Sequence, residues 1–243
     1  GAATGFSSPS GVTVFNNELF VADQGNGSVR DFANASTVTG DTAPIRVIAG
    51  MATTLIQPRG LVVYNNELYV LVAGAIAVFP LDATGNVAPT RRLVSSQMSS
   101  GGIDIKIVNN EIFVGNDQTS CVVFAANGAG DVTPLRQITV AGANGIAVRG
   151  TELFVTTGRQ NSIQVFPTTA DGAATPLRTI AGPNTKLNYA NRAFITGTQI
   201  YVANYAGSSI TVFDINDSGD VAPSRTITGP ATLIDGAWGI WIE

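Results

Sequence analysis

The stretch Gly145-Ile-Ala-Val, Glu152-Leu-Phe-Val-Thr, Ser162-Ile-Gln-Val-Phe and Pro176-Leu-Arg178 is one copy of a unit that the chain repeats five times. Its last element, Pro-x-Arg, recurs in every copy, with arginines at Arg46, Arg91, Arg136, Arg178 and Arg225. The steps between them are 45, 45, 42 and 47 residues. A period in the forties predicts one small structural unit copied in series.

The copies contain four short apolar runs. The first begins with glycine in most copies, the second begins with glutamate or glutamine, the third ends in phenylalanine, and the Pro-x-Arg stretch supplies the fourth. The runs are rich in Val, Ile, Phe, Tyr and Thr and are bounded by Gly, Asn, Asp or Pro, which is typical of strands. Four strands in about 45 residues predict a propeller blade. The expected fold is therefore an all-β propeller of four-stranded antiparallel blades, with five blades favoured and six the alternative.

The repeats predict a single domain over residues 1–243. Its units run approximately over residues 10–58, 59–100, 101–143, 144–190 and 191–237, followed by an extra terminal strand at 238–243. That strand carries two tryptophans. It could seal the ring beside the first blade, begin a sixth blade, or pair with another chain, and an unpaired strand favours association. Closure near the termini is the favoured outcome.

Composition narrows the function classes. Only 12% of residues are charged and the net charge is −4, with no basic run of the kind that nucleic-acid binding needs. No apolar run is long enough to predict a membrane span. Cys121, the only cysteine, is expected to be buried without a disulfide. Low charge with abundant Thr, Asn, Ser and Gly suits an exported protein whose leader has been removed, so a secreted, cell-surface or periplasmic location is expected.

The runs Gly145-Ile-Ala-Val, Glu152-Leu-Phe-Val and Ser162-Ile-Gln-Val-Phe resemble the NHL and YVTN-type propeller repeats of secreted bacterial and archaeal proteins. The resemblance covers nearly all of residues 10–243. It implies that the glycine-led strand is innermost, that Pro-x-Arg is outermost, and that aromatic residues of the second and third strands pack between blades. Proline donates no ladder hydrogen bond and arginine discourages docking of another sheet, so both residues suit an edge strand.

Histidine is absent from the chain, which excludes Ser-His-Asp catalysis and histidine-bound metals. The chain is also similar in fold to calcium-dependent lactonase-like propellers, which implies Asp23, Asn116 and Asn204 as metal-site candidates. Two copies have Val72 and Thr157 at that position. Capping of local turns therefore explains these side chains better than metal binding. No metal site, cofactor or catalytic residue is predicted.

Candidate ligand contacts lie where the copies differ. In Gly102-Ile-Asp104-Ile-Lys106-Ile, the two charges alternate with isoleucines and should face the channel, as ligand contacts or as a solvated pair. Ser10, Arg59, Asn144, Asn191 and Trp238 share one repeat position, so they should ring one mouth of the channel, with Arg192, Tyr189 and Tyr205 nearby. The predicted ligand-binding residues are Arg59, Asp104, Lys106, Asn144, Asn191, Arg192 and Trp238.

Two classes of function remain. The favoured one is a noncatalytic extracellular propeller that serves as a scaffold for a protein or ligand, or as an assembly subunit. Its partner would be a protein or glycan at one face, or a second copy joined through the terminal strand, but not nucleic acid. The alternative is a lactonase-like hydrolase or lyase with a metal in the central channel, for which Asp104 is the obvious acid/base candidate.

Overall fold

The computed structural model describes residues 1–98, 102–116 and 120–242. The expected boundary at residues 100 and 101 lies outside these ranges. Blade 1 contains β1 (Pro9–Phe15), β2 (Glu18–Asp23), β3 (Ser28–Ala33) and β4 (Arg46–Ala49). Blade 2 contains β5 (Leu61–Tyr64), β6 (Glu67–Val72), β7 (Ala75–Pro80) and β8 (Arg91–Val94). Blade 3 contains β9 (Gly102–Val108), β10 (Glu111–Asn116), β11 (Ser120–Ala125) and β13 (Arg136–Thr139), while the two-residue β12 (Gly130–Asp131) pairs in parallel with β8.

Blade 4 contains β14 (Ala143–Arg149), β15 (Glu152–Thr157), β16 (Ser162–Pro167) and β17 (Arg178–Ala181). Blade 5 contains β18 (Ala190–Thr196), β19 (Gln199–Asn204), β20 (Ser209–Asp214) and β21 (Arg225–Ile227). Within each blade the strands follow chain order and pair antiparallel. The prediction of five four-stranded antiparallel blades is confirmed. Short 3-10 turns at Met51–Thr53, Pro183–Thr185 and Pro230–Thr232 follow three of the outer strands.

Two-residue Asn-Asn turns set the register of the first three blades. Asn16 and Asn17 have φ of 49° and 60°, and the same left-handed pair recurs at residues 65–66 and 109–110. Asparagine tolerates positive φ better than most residues, and such turns match the twist of a hairpin. The turn therefore places glutamate at the start of each second strand and directs the following apolar residues to alternate faces.

Four apolar clusters hold successive blades together. In each, an aromatic residue on the second strand of one blade packs with the phenylalanine that ends the third strand of the next, as expected. The pairs are Phe20 with Phe79, Tyr69 with Phe124, Phe113 with Phe166, and Phe154 with Phe213. Burying a phenylalanine contributes about 2–3 kcal/mol, so each interface has a substantial apolar core.

The Pro-x-Arg arginines lie on the outer strands, as expected, and they also make contacts that the sequence did not predict. Arg136 and Arg178 form ion pairs with Glu111 and Glu152 at the start of the second strand of the same blade. Arg178 also donates to the carbonyl oxygen of Ile215 in the next blade, at 2.7 Å. The arginine therefore ties the outer strand both to its own blade and to the following one.

The outer strands of blades 1 to 4 also pair with a glycine turn in the following blade. The parallel bridges are Ile48 with Gly85, Leu93 with Gly130, Ile138 with Gly172, and Ile180 with Gly219. At the last of these, the Gly219 N–H donates to the Thr179 carbonyl at 2.7 Å and the Ala181 N–H donates to the Gly219 carbonyl at 3.1 Å. These contacts give the ring a direction, since each blade binds the turn of its successor.

Blade 5 does not make this contact with blade 1. Ile227 occupies the position of the buried Ile48, Leu93, Ile138 and Ile180, yet it is 42% exposed. Its expected counterpart on blade 1, Gly40, is unpaired in the described part of the chain. Within the same ranges, no apolar cluster joins blades 5 and 1.

The terminal segment differs from the prediction of a strand at 238–243. Residues 238–242 form no strand, and Glu243 lies outside the described residues. Every inner strand of the fold pairs with the second strand of its own blade, whereas residues 238–242 pair with no strand among the described residues. Its rings pack inside the chain instead, with Trp238 at 4.9 Å from Tyr205 and Trp241 at 5.1 Å from Phe194.

Cys121 is buried in blade 3, as predicted. Burial raises the pKa of its thiol to about 12. Because the thiolate is the reactive form, this cysteine serves as a small apolar side chain between blades 3 and 4.

Candidate ligand-binding channel

One position of the inner strands decides the shape of the channel. Three blades have glycine there: Gly11, Gly60 and Gly145. A Cβ atom on Gly11 would lie 1.9 Å from the Arg59 carbonyl oxygen, and one on Gly145 would lie 2.3 Å from the Asn191 carbonyl oxygen. The strand registers place Asp104 at this position in blade 3 and Arg192 in blade 5. The two blades that carry a side chain there therefore carry opposite charges.

Arg192 crosses the channel and joins several blades. Its Nη1 donates to the Ser10 carbonyl oxygen of blade 1 and its Nη2 donates to the Ile103 carbonyl oxygen of blade 3, both at 2.6 Å. Its Nε lies 3.6 Å from Asp104 Oδ1. The Oδ2 atom of Asp104 accepts a hydrogen bond from the Ile146 N–H of blade 4 at 3.0 Å. Side chains of blades 3 and 5 thus bind groups of blades 1 and 4 at the axis.

Burial lowers the pKa of Arg192, the carboxylate of Asp104 raises it, and the neighbouring guanidinium of Arg59 lowers it. Arginine nevertheless stays protonated at any physiological pH, so the cost of burying its charge is offset by Asp104 and by the two carbonyl oxygens. Arg192 is therefore a fixed positive charge at the centre of the molecule.

Arg192 divides the channel into two chambers. The first, the Lys106 chamber, has a volume of about 310 Å³ and is lined by β1, β5, Asp104, Lys106, Phe194 and Trp241. The second, the Arg59 chamber, has a volume of about 230 Å³ and is lined by Ser8, Pro9, Ser10, Gln24, Arg59, Ile103 and Trp238. Arg192 borders both. A ligand that enters from one mouth meets this side chain before it reaches the other chamber.

Among the residues that the structure describes, the charged side chains that line the two chambers are Arg59, Lys106, Arg192 and Asp104. Three positive charges and one negative charge give this described lining a net charge of +2. The whole chain carries −4. Positive charge is therefore concentrated in the channel of an acidic protein, and in a cleft with apolar walls such charge attracts anions.

Five of the seven predicted ligand-binding residues line a chamber: Arg59, Asp104, Lys106, Arg192 and Trp238. Asn144 and Asn191 are buried and line neither chamber. Both polar atoms of the Asn191 side chain lack a hydrogen-bond partner within the described ranges. Such an orphaned amide costs on the order of 1–3 kcal/mol, which marks Asn191 as an unexplained polar group close to the axis.

Sequence reasoning missed Gln24, Phe194 and Trp241 as lining residues. It also missed the pairing of Asp104 with Arg192. The signal for that pair was present, because both side chains replace the same repeat glycine with opposite charges. The position of Trp241 gave no such signal, because it depends on how an unpaired segment turns back into the channel.

The residues considered for a metal site hold loops in place. Asp23 accepts hydrogen bonds from the Ser7 and Ser8 N–H groups at 2.9 and 2.7 Å. Asn204 accepts one from the Asn188 N–H at 3.1 Å, and Asn116 donates to the Gln97 carbonyl oxygen at 3.0 Å. Within residues 1–98, 102–116 and 120–242, no three His, Cys, Asp or Glu side chains are grouped to hold a metal ion.

Solved structures with the same fold are numerous, whereas no known family and no curated protein sequence matches the chain. The WD40 β-propeller domain of Doa1 superposes with a TM-score of 0.67 at 12% identity, covering 91% of this chain and 69% of that one. The chain is a β-propeller. A chain of the nidogen/laminin complex superposes with a TM-score of 0.66 at 13% identity, covering 93% of this chain and 82% of that one.

The computationally designed Ika8 protein superposes with a TM-score of 0.60 at 12% identity. The match covers 91% of the propeller and 62% of Ika8, so the propeller spans less than two thirds of that chain. At these identities the likeness concerns the fold alone. Among the described residues, the propeller has no helix with the length and apolar character needed to cross a membrane.

Proposed function

We propose that this propeller is a noncatalytic binding protein and that the mouth of its channel recognises a carboxylate on a protein partner. One observation carries the proposal: Arg59 and Arg192 border the same 230 Å³ chamber, which Trp238 also lines. Asp104 is the ion-pair partner of Arg192, but no carboxylate pairs with Arg59 in the described part of the chain. Arg59 is therefore available to a ligand.

The electrostatics of the chamber support an anionic ligand. Two guanidinium groups close enough to perturb each other repel, and in a partly desolvated site the repulsion is stronger than in water. A bound carboxylate would relieve it and could accept two parallel hydrogen bonds from Arg59. The same argument favours an anionic ligand over a neutral glycan.

The surroundings of the chamber support a protein partner. Tyr189, Tyr205 and Trp238 form a chain of ring contacts at this mouth, with centroid distances of 5.8 and 4.9 Å. Tyr205 and Trp238 are 39% and 42% exposed. Aromatic rings beside an arginine are the side chains that contribute most to protein interfaces. The superposition on a chain of the nidogen/laminin complex agrees with such a role, and a location outside the cell belongs to the proposal.

The environment of Asp104 favours binding over the hydrolase or lyase alternative. Among residues 1–98, 102–116 and 120–242, it is the only acidic side chain that lines either chamber. Its two oxygens are engaged by Arg192 and by the Ile146 N–H, which leaves little freedom for proton transfer to a ligand. Trp238 and Trp241 pack within their own chain, so self-association through the terminal segment is also disfavoured.

The proposal is tested by titrating the protein with acetyl-Glu-Glu-Glu-amide and with acetyl-Gln-Gln-Gln-amide. Binding is measured by tryptophan fluorescence and by isothermal titration calorimetry. We expect binding of the acidic peptide only, weakened at least tenfold by Arg59→Gln. Arg159→Gln, at an exposed position outside the channel, is the matched control and should bind as the unmodified protein does. Equal binding of the two peptides, or equal effects of the two substitutions, would refute the proposal.

A further inference from the structure

Two of the four internal blade interfaces, between blades 1 and 2 and between blades 4 and 5, share a second contact besides the glycine bridge. The residue that follows the bridging glycine accepts a hydrogen bond from the 3-10 turn of the preceding blade. Asn86 Oδ1 accepts from the Ala52 N–H, and Asp220 Oδ1 accepts from the Asn184 N–H, both at 2.8 Å. Where both contacts are present, an interface therefore has a donating side, made of an outer strand and its turn, and a receiving side, made of Gly-Asn or Gly-Asp.

The receiving side of blade 1 is already filled by the N-terminal segment. Asp41, which follows Gly40, accepts hydrogen bonds from the Ala3 and Thr4 N–H groups at 2.8 and 3.1 Å. Gly1-Ala-Ala-Thr4 repeats the pattern of Gly50-Met-Ala-Thr53. The two segments share the same internal bond from threonine Oγ1 to the glycine carbonyl oxygen, at 2.7 and 2.6 Å. Residues 1–4 thus take the place that the turn of a preceding blade takes elsewhere.

Phe6 completes this replacement. Its ring lies 5.4 Å from Phe32, the phenylalanine that ends the third strand of blade 1. In blades 2 to 5 the equivalent phenylalanine packs against the preceding blade. Because residues 1–6 cover the receiving side of blade 1, blade 5 cannot bind there. In a second copy of the chain, residues 1–6 would cover blade 1 in the same way, so blade 5 could not bind that copy's blade 1 either.

The donating side of blade 5 is complete but unused. Its turn, Pro230–Thr232, has the same internal bond from Thr232 Oγ1 to the Gly229 carbonyl oxygen, at 2.7 Å. The Ala231 N–H, equivalent to that of Ala52, has no acceptor in the described residues. Ile227 is 42% exposed, and Tyr201 is partly exposed where Phe20, Tyr69, Phe113 and Phe154 are buried.

We propose that this face, formed by Tyr201, Ile227 and Ala231, is a docking surface for one further blade of the same repeat. The partner blade carries a glycine turn followed by Asp or Asn that no N-terminal segment covers. Its glycine pairs with the outer strand at Ile227, its Asp or Asn accepts from Ala231, and its third-strand phenylalanine covers Tyr201. All four internal interfaces have the glycine bridge, and the interfaces between blades 1 and 2 and between blades 4 and 5 also have the Asn or Asp acceptor. The proposal does not depend on the ligand of the channel.

The test completes a sixth blade on the existing chain. Gly239-Ile-Trp-Ile242 matches Gly60-Leu-Val-Val63, so residues 64–94 are appended in place of Glu243 to supply three further strands with a Gly85-Asn86 turn. We expect the amide hydrogens of Thr228 and Ala231 to exchange with solvent at least tenfold more slowly than in the unextended chain, as followed by NMR. The same extension with Gly85→Val and Asn86→Leu in the appended copy is the control and should not slow them.

A second extension, made from residues 196–227, carries the Gly219-Asp220 turn and gives an independent trial. If neither extension slows exchange at Thr228 and Ala231, the proposal is wrong. It is also wrong if light scattering shows the unextended chain to be a dimer that Ile227→Asp dissociates, because the occupant would then be a second copy.

Discussion

Asp31 shows what one exception to the repeat does. It occupies the position of Val78, Val123, Val165 and Val212, which are all fully buried, and is itself only 3% exposed. Burial raises the pKa of its carboxyl to about 6, although Arg46 acts in the opposite direction. A carboxylate at a valine position is therefore a source of instability that depends on pH.

We predict that Asp31→Val stabilises the protein at pH 7 more than at pH 4. The pKa of Asp31 in the folded protein lies above the ordinary value of 3.8, so folding favours the protonated form. The stabilisation of the folded state by protonated Asp31 is fully present below about pH 4. It is lost as the pH rises through about 6, and the free energy of unfolding then falls by roughly 2–3 kcal/mol. Urea unfolding at both pH values measures it. The converse change Val78→Asp should introduce the same loss, and parallel pH profiles for Asp31→Val and the unmodified protein would contradict the prediction.

At the scale of strands, the outer arginines differ in what they join. Arg178 bonds to Glu152 in its own blade and to the Ile215 carbonyl oxygen in the next. Arg225 bonds to Gln199 and Tyr201, both in its own blade. In the described part of the chain, Arg225 makes no hydrogen bond or ion pair to another blade. Arg178 and Arg225 therefore allow a comparison within one protein, because Arg178 bonds to the next blade and Arg225 bonds only within its own.

We predict that Arg178→Met lowers the free energy of unfolding by about 1–2 kcal/mol and Arg225→Met by about 0.5 kcal/mol or less. Charged hydrogen bonds to a partly buried carbonyl group account for the difference. Chemical denaturation of the two variants measures it. Equal losses would show that the bond to Ile215 contributes nothing to stability.

The strands were predictable because each combines a local turn with an alternating apolar pattern, and both recur five times. The outer arginines were located correctly but not their partners, because Arg136 and Glu111 lie on strands that are not neighbours in the sheet. In the channel, the sequence identified Asp104 and Arg192 separately. Their contact depends on how blades 3 and 5 face each other across the axis, which no local pattern encodes.

At the scale of the whole molecule, the local stability of each blade depends on how many neighbouring blades pack against it. Blades 2, 3 and 4 have a packed neighbour on each side, and blade 5 has one on one side only. Elements with fewer buried contacts open at lower free energy. The outer strand of blade 5 should therefore open before the corresponding strand of blade 3.

We predict that amide hydrogens in residues 225–228 exchange at least a hundredfold faster than those in residues 136–139. Ile227 is 42% exposed and its strand has a free edge, whereas Ile138 is fully buried and its strand pairs with the Gly172 turn. Hydrogen exchange followed by mass spectrometry compares the two segments in one sample. Similar protection in both segments would mean that something already covers blade 5.

The direction of the glycine bridges has a consequence for synthesis. The outer strands of blades 1 to 4 each bind a turn that lies further along the chain, as Ile48 binds Gly85. Chains grow from the N-terminus, so a blade leaving the ribosome remains incomplete until most of the next has emerged. Each blade is therefore completed about one repeat after its own synthesis. A pause in translation between repeats would leave the outer strand of the last blade unpaired and exposed to solvent.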